Sequence, residues 1–229
     1  MISKKNLFLL ACLLILIFIS AWLLPIDYFK SVYYRQPDDI TVQNRSNPTS
    51  SKPDVNVEII LDVSGSMWGQ FDGASKILNS KGIMEIILKD LPKNVKVGFR
   101  TFGGDGESRL EVPLDIDNRD KIKEMLKDLR PSGKSPIGYA LEEARKDLDI
   151  QPGSKFIILI SDGIDNGELD PVKKAEELKK QGIVTHVVFL RSNEQDGEKM
   201  LARLAQAGGG HFFTIDEKDL VVPTMTLTR

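Results

Sequence analysis

The stretch "IILDVSGSMWG", Ile59 to Gly69, places a carboxylate and two hydroxyls directly after a run of apolar residues. The apolar run predicts a buried strand, and Asp62 stands at its end. Gly65 is expected to permit a tight turn there, so that Ser64 and Ser66 both point back towards Asp62. The sequence therefore predicts three oxygen donors at the end of one buried strand.

Strands and helices alternate along the chain after this point, and their order predicts the fold class. The predicted strands are "VNVEIIL", "VKVGFRTF", "RLEVPLD", "KFIILIS", "IVTHVVFL" and "HFFTI". Helices are predicted over about 74–91, around two apolar stripes at helical spacing, at "DPVKKAEELKKQG" and around "GEKMLARLAQAGG"; the stripes are Ile122, Met125, Leu126, Leu129 and Ile137, Ala140, Leu141, Ala144. This order predicts an α/β fold with a doubly wound, mostly parallel six-stranded sheet and helices on both faces. Only a glycine-rich turn separates the second and third strands, which predicts one antiparallel edge strand.

Two further loops carry oxygen donors that this fold would bring to the same edge of the sheet. Asp162 follows "FIILIS", and Ser135 lies in "SGKSPIG" before a helix. Ligands of such sheets bind at the carboxyl ends of the strands. Each of these residue types is also common in ordinary turns and caps, so only the whole set indicates a site. The candidate metal ligands are Asp62, Ser64, Ser66, Ser135 and Asp162.

The chemistry of these donors indicates which ion they would hold. They are all oxygens, which suit a hard divalent cation such as Mg²⁺, with Mn²⁺ or Ca²⁺ as alternatives. Two carboxylates roughly neutralise such an ion, and hydroxyls add ligands without adding charge. The bound ion would therefore stay electrophilic enough to accept one more carboxylate from outside.

The three segments together resemble a known family. The run Asp62-Val63-Ser64-Gly65-Ser66 resembles the Asp-x-Ser-x-Ser motif of the von Willebrand factor type A (vWA) domain. The segments "SGKSPIGYAL" and "FIILISDG" resemble that family's second and third metal loops. The resemblance covers about Val55 to Ile215, in the family's order.

The resemblance implies a metal-ion-dependent adhesion site and a role for each residue. Ser64 and Ser66 would coordinate the ion directly, while Asp62 and Asp162 would act largely through water. Ser135 stands where the family usually has threonine, which keeps the hydroxyl but loses a methyl group. The implied function is metal-dependent binding of a partner protein, with an acidic side chain of the partner completing the coordination.

The N-terminal segment differs from the rest of the chain in composition. The run "LFLLACLLILIFISAWLL", Leu7 to Leu24, contains eighteen residues without a charge. At about 1.5 Å per residue it would cross most of a hydrocarbon layer of about 30 Å. Lys4 and Lys5 precede it, so a retained anchor leaves the N-terminus in the cytoplasm and the following domain outside. A cleaved signal peptide, which would make the protein secreted or periplasmic, is the alternative.

These features divide the chain into three parts. We expect an anchor over 1–24, a juxtamembrane segment and polar linker over 25–54, and the vWA domain over 55–229. Lipidation of Cys12 is disfavoured because the apolar stretch before it is short. Cys12 is the one cysteine in the sequence, so the outer domain has no disulfide and no thiolate site.

Several function classes find no support in the sequence. Lys and Arg number 31 against 33 Asp and Glu, without a basic patch, which argues against nucleic-acid binding. "SGKS" is not a nucleotide-binding loop, because Asp128 stands where its first glycine is required. No acid–base pair or activated nucleophile is evident, so we expect no enzyme.

Trp68 either packs on the metal loop or offers the partner an aromatic anchor. The alternative function is a scaffold subunit of a membrane complex that binds without metal.

Overall fold

A computed structural model of the chain describes residues 54–71, 73–104, 107–191 and 195–215. The predicted anchor, almost all of the predicted linker and the last fourteen residues lie outside this part of the chain. None of the helices described is long and apolar enough to span a bilayer.

The elements of the described region follow the predicted alternation. In chain order they are β1 (Val55–Val63), a 3₁₀ helix (Gly65–Trp68), β2 (Gln70–Phe71), β3 (Ala74–Ser75), α1 (Lys76–Asp90), β4 (Lys96–Gly103), β5 (Glu107–Asp115), α2 (Arg119–Asp128), α3 (Ile137–Asp149), β6 (Ser154–Ser161), α4 (Pro171–Lys180), β7 (Ile183–Leu190), α5 (Gln195–Ala207) and β8 (Gly209–Ile215).

The central sheet confirms the predicted fold class. Its six strands lie in the order β5-β4-β1-β6-β7-β8. Edge strand β5 runs antiparallel to β4, and all other pairs are parallel. The strand order reverses at β1, which lies between β4 and β6. The loops that follow β1 and β6 therefore open side by side, where ligands bind in such sheets.

Helices cover both faces of the sheet. The side chains of β1 alternate between these faces, so each face offers apolar side chains for helices to pack on. Leu61 and its alternate neighbours pack with α1 and α2. Ile60 packs on the opposite face with α3, α4 and α5.

Two predicted boundaries are wrong. Ala74 belongs to a two-stranded ribbon rather than to the helix, and Leu129 follows the end of α2 in an extended conformation.

The face of β1 towards α3 also carries an unusual buried ionisable group. Glu58 is fully buried, and Arg100 of β4 donates to its Oε1 atom over 2.8 Å. Arg100 also bonds to Asp147 of α3 and, over 3.1 Å, to Ser108 of β5. Burial raises the pKa of Glu58 to about 8, against the opposing effect of Arg100. The carboxyl group of Glu58 therefore favours its neutral form in the folded protein.

This raised pKa predicts a pH-dependent stability that Glu58→Gln should remove. The folded protein keeps a proton on Glu58 that the unfolded chain releases above its ordinary pKa of 4.5. The resulting stability is fully present below that value and is lost as the pH rises through about 8. At about 1.4 kcal/mol per pH unit, the loss is on the order of 5 kcal/mol.

Urea titrations at about pH 5 and about pH 9 measure this effect. From about pH 5 to about pH 9 the free energy of unfolding of the wild type should fall. That of Glu58→Gln should fall less, by a margin of several kcal/mol. The same pH dependence in both proteins would show that Glu58 is already ionised in the fold.

Candidate metal centre

Asp62 is the centre of the candidate site and joins three segments of the chain. It stands near the end of β1, is fully buried, and accepts a bond from the backbone N–H of Ser64 at Oδ1 over 2.8 Å. Its Oδ2 atom accepts bonds from the hydroxyls of Ser135, over 3.2 Å, and Ser161, over 2.7 Å. The structure thus brings the loops after β1, before α3 and at the end of β6 onto one carboxylate.

Ser64 and Ser66 lie side by side in the loop after β1. Their Oγ atoms are 3.0 Å apart. Ser64 precedes the 3₁₀ helix and Ser66 lies within it, and the helix packs into the core through buried Met67. The expectation that Gly65 permits the turn through its conformational freedom is wrong, because its φ angle is not positive. Its N–H instead donates to the carbonyl of Gly133 over 3.1 Å. The turn is therefore held by a contact with the neighbouring loop.

The loop that carries Ser135 is clamped against the ends of β1 and β4. The N–H of Ser132 donates to Val63 O over 2.8 Å, and the N–H of Gly104 donates to Ser132 O over 2.6 Å. Gly133 has a φ of 70°, and a Cβ atom there would lie 1.3 Å from Gly104 O. Only glycine fits this crossing of two backbones.

Two residues that sequence reasoning missed hold the same loop from the other side. Asn166 accepts the Ser135 N–H at Oδ1 over 2.6 Å, and its own N–H donates to Ser135 O over 3.1 Å. Asp165 accepts the Ile137 N–H over 3.0 Å and so caps the start of α3. Their signal in the sequence was the turn-rich "DGIDNGELD", which has no apolar period.

Asp162, at the end of β6, has a cation as its neighbour. It is fully buried, and its Oδ2 atom accepts a bond from Lys76 Nζ over 2.7 Å. Its Oδ1 atom accepts the N–H of Ile164 over 3.3 Å. Lys76 is the first residue of α1, and its side chain is only 9% exposed. Nothing in the sequence distinguishes this lysine from the others in the same helix.

The site is electrostatically prepared for a positive charge. Burial raises the pKa of Asp62 to about 6, and the charge of nearby Asp162 contributes to the rise. Hydrogen bonds from Ser64 and Ser161 oppose it. A cation near Asp62 would remove most of the cost of keeping this carboxylate ionised.

The donor set fits a hard divalent ion. It comprises two carboxylates and three hydroxyls, all oxygens and all at the edge where β1 and β6 end. In the described parts of the chain, no three His, Cys, Asp or Glu side chains cluster in a way that could hold a metal. A metal at this edge would therefore depend on the serine hydroxyls.

Trp68 packs on the candidate metal-binding edge, as one of its two sequence interpretations predicted, and the other role, as an anchor for a partner, stays a prediction. Its indole N–H donates to the carbonyl of Pro131 over 2.8 Å, which fixes the ring against the second loop. The side chain nevertheless stays half exposed, at 52%. The ring thus packs on the loop and presents a face to solvent beside the site.

Comparisons with known proteins agree with this architecture. The model of the von Willebrand factor type A domain family matches residues 56–226. The chain is 30% identical over 180 residues to the uncharacterized protein YwmC of Bacillus subtilis (strain 168), an alignment that covers 72% of this chain and 78% of YwmC.

Solved structures share the fold. The crystal structure of the conserved hypothetical protein BatB from Bacteroides thetaiotaomicron has a TM-score of 0.61 and 25% identity, covering 71% of this chain and 90% of that one. Proximal thread matrix protein 1 from the mussel byssus, solved with a zinc-occupied MIDAS motif, has a TM-score of 0.59 and 22% identity, covering 73% and 43%. The chain belongs to the von Willebrand factor type A domain family, whose domains act as protein-interaction and adhesion modules.

Proposed function

We propose that this chain binds a partner protein through a divalent metal ion held at the edge where β1 and β6 end. The proposed ligands are Asp62, Ser64, Ser66, Ser135 and Asp162. The observation that carries the proposal is the convergence of three segments on the buried carboxylate of Asp62, two through the hydroxyls of Ser135 and Ser161 and one through the backbone N–H of Ser64. We propose Mg²⁺ as the ion, with Mn²⁺ or Ca²⁺ as alternatives, because hydroxyl and carboxylate oxygens suit these hard cations.

The hydrogen bonds around the site suggest which residues would bind the ion directly and which would bind it through water. Ser64 and Ser66 have adjacent hydroxyls that bond to each other, so both can turn their lone pairs to a common ion. Asp62 already accepts three bonds from the protein. Its lone pairs are therefore largely engaged, and we propose that Asp62 and Asp162 act mainly through bound water.

A partner carboxylate is the ligand that the charge of this site would select. Asp62 and Asp162 supply two negative charges, and Lys76 adds one positive charge. A divalent ion would leave the loaded site with one net positive charge, at an edge of the sheet where Ser66 is partly exposed. An acidic side chain of the partner would neutralise that charge while completing the coordination.

The surroundings of the site favour a protein over a small anion as the ligand. Trp68, Tyr139 and Leu169 are large apolar side chains that are 52%, 42% and 41% exposed. Next to the Ser135 loop, a cavity of about 370 Å³ is lined in part by Tyr139, Leu169 and Pro136. Exposed aromatic and apolar side chains around a polar centre are typical of protein-binding surfaces.

The remaining parts of the proposal come from the sequence. We propose that Leu7 to Leu24 anchors the chain in the cytoplasmic membrane with the vWA domain outside. We also propose that the domain is not an enzyme, since its polar centre contains oxygen donors and a lysine but no evident nucleophile with a base.

The proposal predicts partner capture that depends on both metal and hydroxyls. Full-length chain in detergent would be immobilised and exposed to a membrane extract with Mg²⁺ or with EDTA. The double variant Ser64→Ala and Ser66→Ala should lose its partner even with Mg²⁺. Removing residues that merely support ligands weakens metal binding by about 10- to 100-fold, so removing two ligands should cost at least that.

A matched control is Ser154→Ala, which deletes a hydroxyl at the opposite end of the sheet, beside Val55. It should capture the partner as the wild type does. Equal recovery in EDTA, in Mg²⁺ and with the double variant would contradict the proposal and favour a metal-independent scaffold.

A further inference from the structure

We propose that Lys76 is a built-in counter-cation that weakens the binding of metal alone and strengthens the binding of the carboxylate that follows it. The inference rests on the proposed metal-dependent function and deepens it. Its starting point is the ion pair between Lys76 and Asp162, which places a protein cation on one of the two carboxylates proposed for the metal.

The position of Lys76 is fixed by more than this ion pair. Its backbone N–H donates to Gly69 O over 2.8 Å, which ties the start of α1 to the loop that carries Ser64 and Ser66. A Cβ atom added at Gly69 would lie 3.3 Å from Lys76 Cε and 3.5 Å from Nζ, so the end of the lysine side chain runs directly along that loop. With 7% of the residue exposed, the ammonium is enclosed between the loop and Asp162.

The ammonium of Lys76 changes the net charge of the site in two successive steps, the binding of the divalent ion and the binding of the carboxylate. With Lys76 present, Asp62 and Asp162 leave one net negative charge to attract a divalent ion. Without it, two negative charges would attract the ion, so the metal would bind more tightly. The loaded site would then be neutral instead of positive, and an incoming carboxylate would be held less tightly.

These opposite effects separate the proposal from a purely structural role. If Lys76 only braced α1 against β6, its loss would loosen the loops and weaken both the metal and the carboxylate. If it acts through its charge, its loss must move the two affinities in opposite directions. A buried ammonium beside a proposed metal ligand also implies that metal-free protein relies on Lys76 to neutralise Asp162.

The test uses Lys76→Gln in the purified full-length chain, because the amide can still bond to Asp162 without carrying charge. Lys89→Gln removes the same charge from an exposed position near the end of α1 and serves as the matched control. Lys76→Arg keeps the charge and should keep the wild-type affinity for metal. If Lys76→Gln does not fold, Lys76→Met, which keeps the aliphatic stem, replaces it.

Three readouts follow. In calorimetric titrations with Mg²⁺, Lys76→Gln should bind about 5- to 150-fold more tightly than the wild type, the usual size of coupling between neighbouring sites. In metal-free melts it should unfold at a lower temperature than the wild type, and Mg²⁺ should raise its Tm by more. With saturating Mn²⁺, acetate titrated against the water-proton relaxation rate should bind more weakly to Lys76→Gln.

The outcomes separate this inference from the function on which it rests. If the wild type binds Mg²⁺ and Lys76→Gln binds it equally or less tightly, the counter-cation role is overturned and the metal site stands. Acetate binding that is unchanged or tighter in Lys76→Gln would also overturn it. If neither protein binds Mg²⁺, the inference and the proposed metal site both fail.

Discussion

Asp62→Asn is expected to weaken Mg²⁺ binding by about 10- to 100-fold or more while leaving the metal-free domain at least as stable as the wild type. Asparagine keeps the shape of the side chain, and its Oδ1 atom can still accept the N–H of Ser64. The hydroxyls of Ser135 and Ser161, which donate to Asp62, can rotate to accept from the amide instead. The substitution therefore removes a charge without emptying the centre of the site.

The raised pKa of Asp62 gives the sign of the effect on stability. Its value of about 6 in the fold, against an ordinary 3.8, means that burial makes the carboxylate costlier to ionise than in the unfolded chain, although it is still mostly ionised at neutral pH. The stability from the neutral form is present below pH 3.8 and is lost as the pH rises through about 6. An uncharged residue avoids that loss, which is on the order of 3 kcal/mol at about 1.4 kcal/mol per pH unit.

Calorimetry with Mg²⁺ and urea titration without metal check the two halves of this prediction. The control is Asp120→Asn, which removes the same charge from a fully exposed position in α2 and should change neither result. Metal binding by Asp62→Asn within a few-fold of the wild type would contradict the proposed site. A metal-free loss of several kcal/mol at neutral pH would contradict the electrostatic account of Asp62.

Gly133→Ala is expected to disable the site without altering any proposed ligand. The added Cβ atom would overlap the carbonyl of Gly104, and the backbone fixes the positions of both, so no side-chain rotation can relieve the clash. The loop must move away, breaking the bonds of Gly104 to Ser132 and of Gly65 to Gly133. We expect a loss of about 3 kcal/mol or more in the free energy of unfolding, together with loss of Mg²⁺ binding.

The matched control for this variant is Gly82→Ala. Gly82 lies inside α1, and a Cβ atom there meets nothing within 4 Å. Alanine should stabilise the helix by about 0.5–1 kcal/mol. Unfolding of Gly133→Ala within about 1 kcal/mol of the wild type, with Mg²⁺ binding retained, would show that the contact with Gly104 is not needed to position the second loop.

The parts of this structure that could be predicted from sequence are those set by local patterns. Apolar runs such as that of β6 and the periodic stripe of α3 depend on neighbours along the chain, so they identified the main strands and helices. The order of these elements then brought the ends of β1 and β6 together. The ribbon of β2 and β3 has only two residues in each strand, too few to show a period.

The contacts within the site that could not be predicted depend on which strands and helices face each other in the fold. Ser161 lies on the α3 side of β6 with Ile157 and Leu159, and it therefore reaches Asp62, which lies on the same side of β1. Asp162, one residue later, instead meets Lys76 at the start of α1. That division follows from strand register and helix placement, which only the folded chain specifies.

The measurement that tests the account most directly is the position of a bound divalent ion. Crystals of the protein grown with Mn²⁺ would be examined for anomalous scattering at the manganese edge. The account predicts a peak at the edge where β1 and β6 end, in contact with the hydroxyls of Ser64 and Ser66 and close to Asp62. A folded protein with no peak there at saturating Mn²⁺, or with its peak elsewhere, would contradict it.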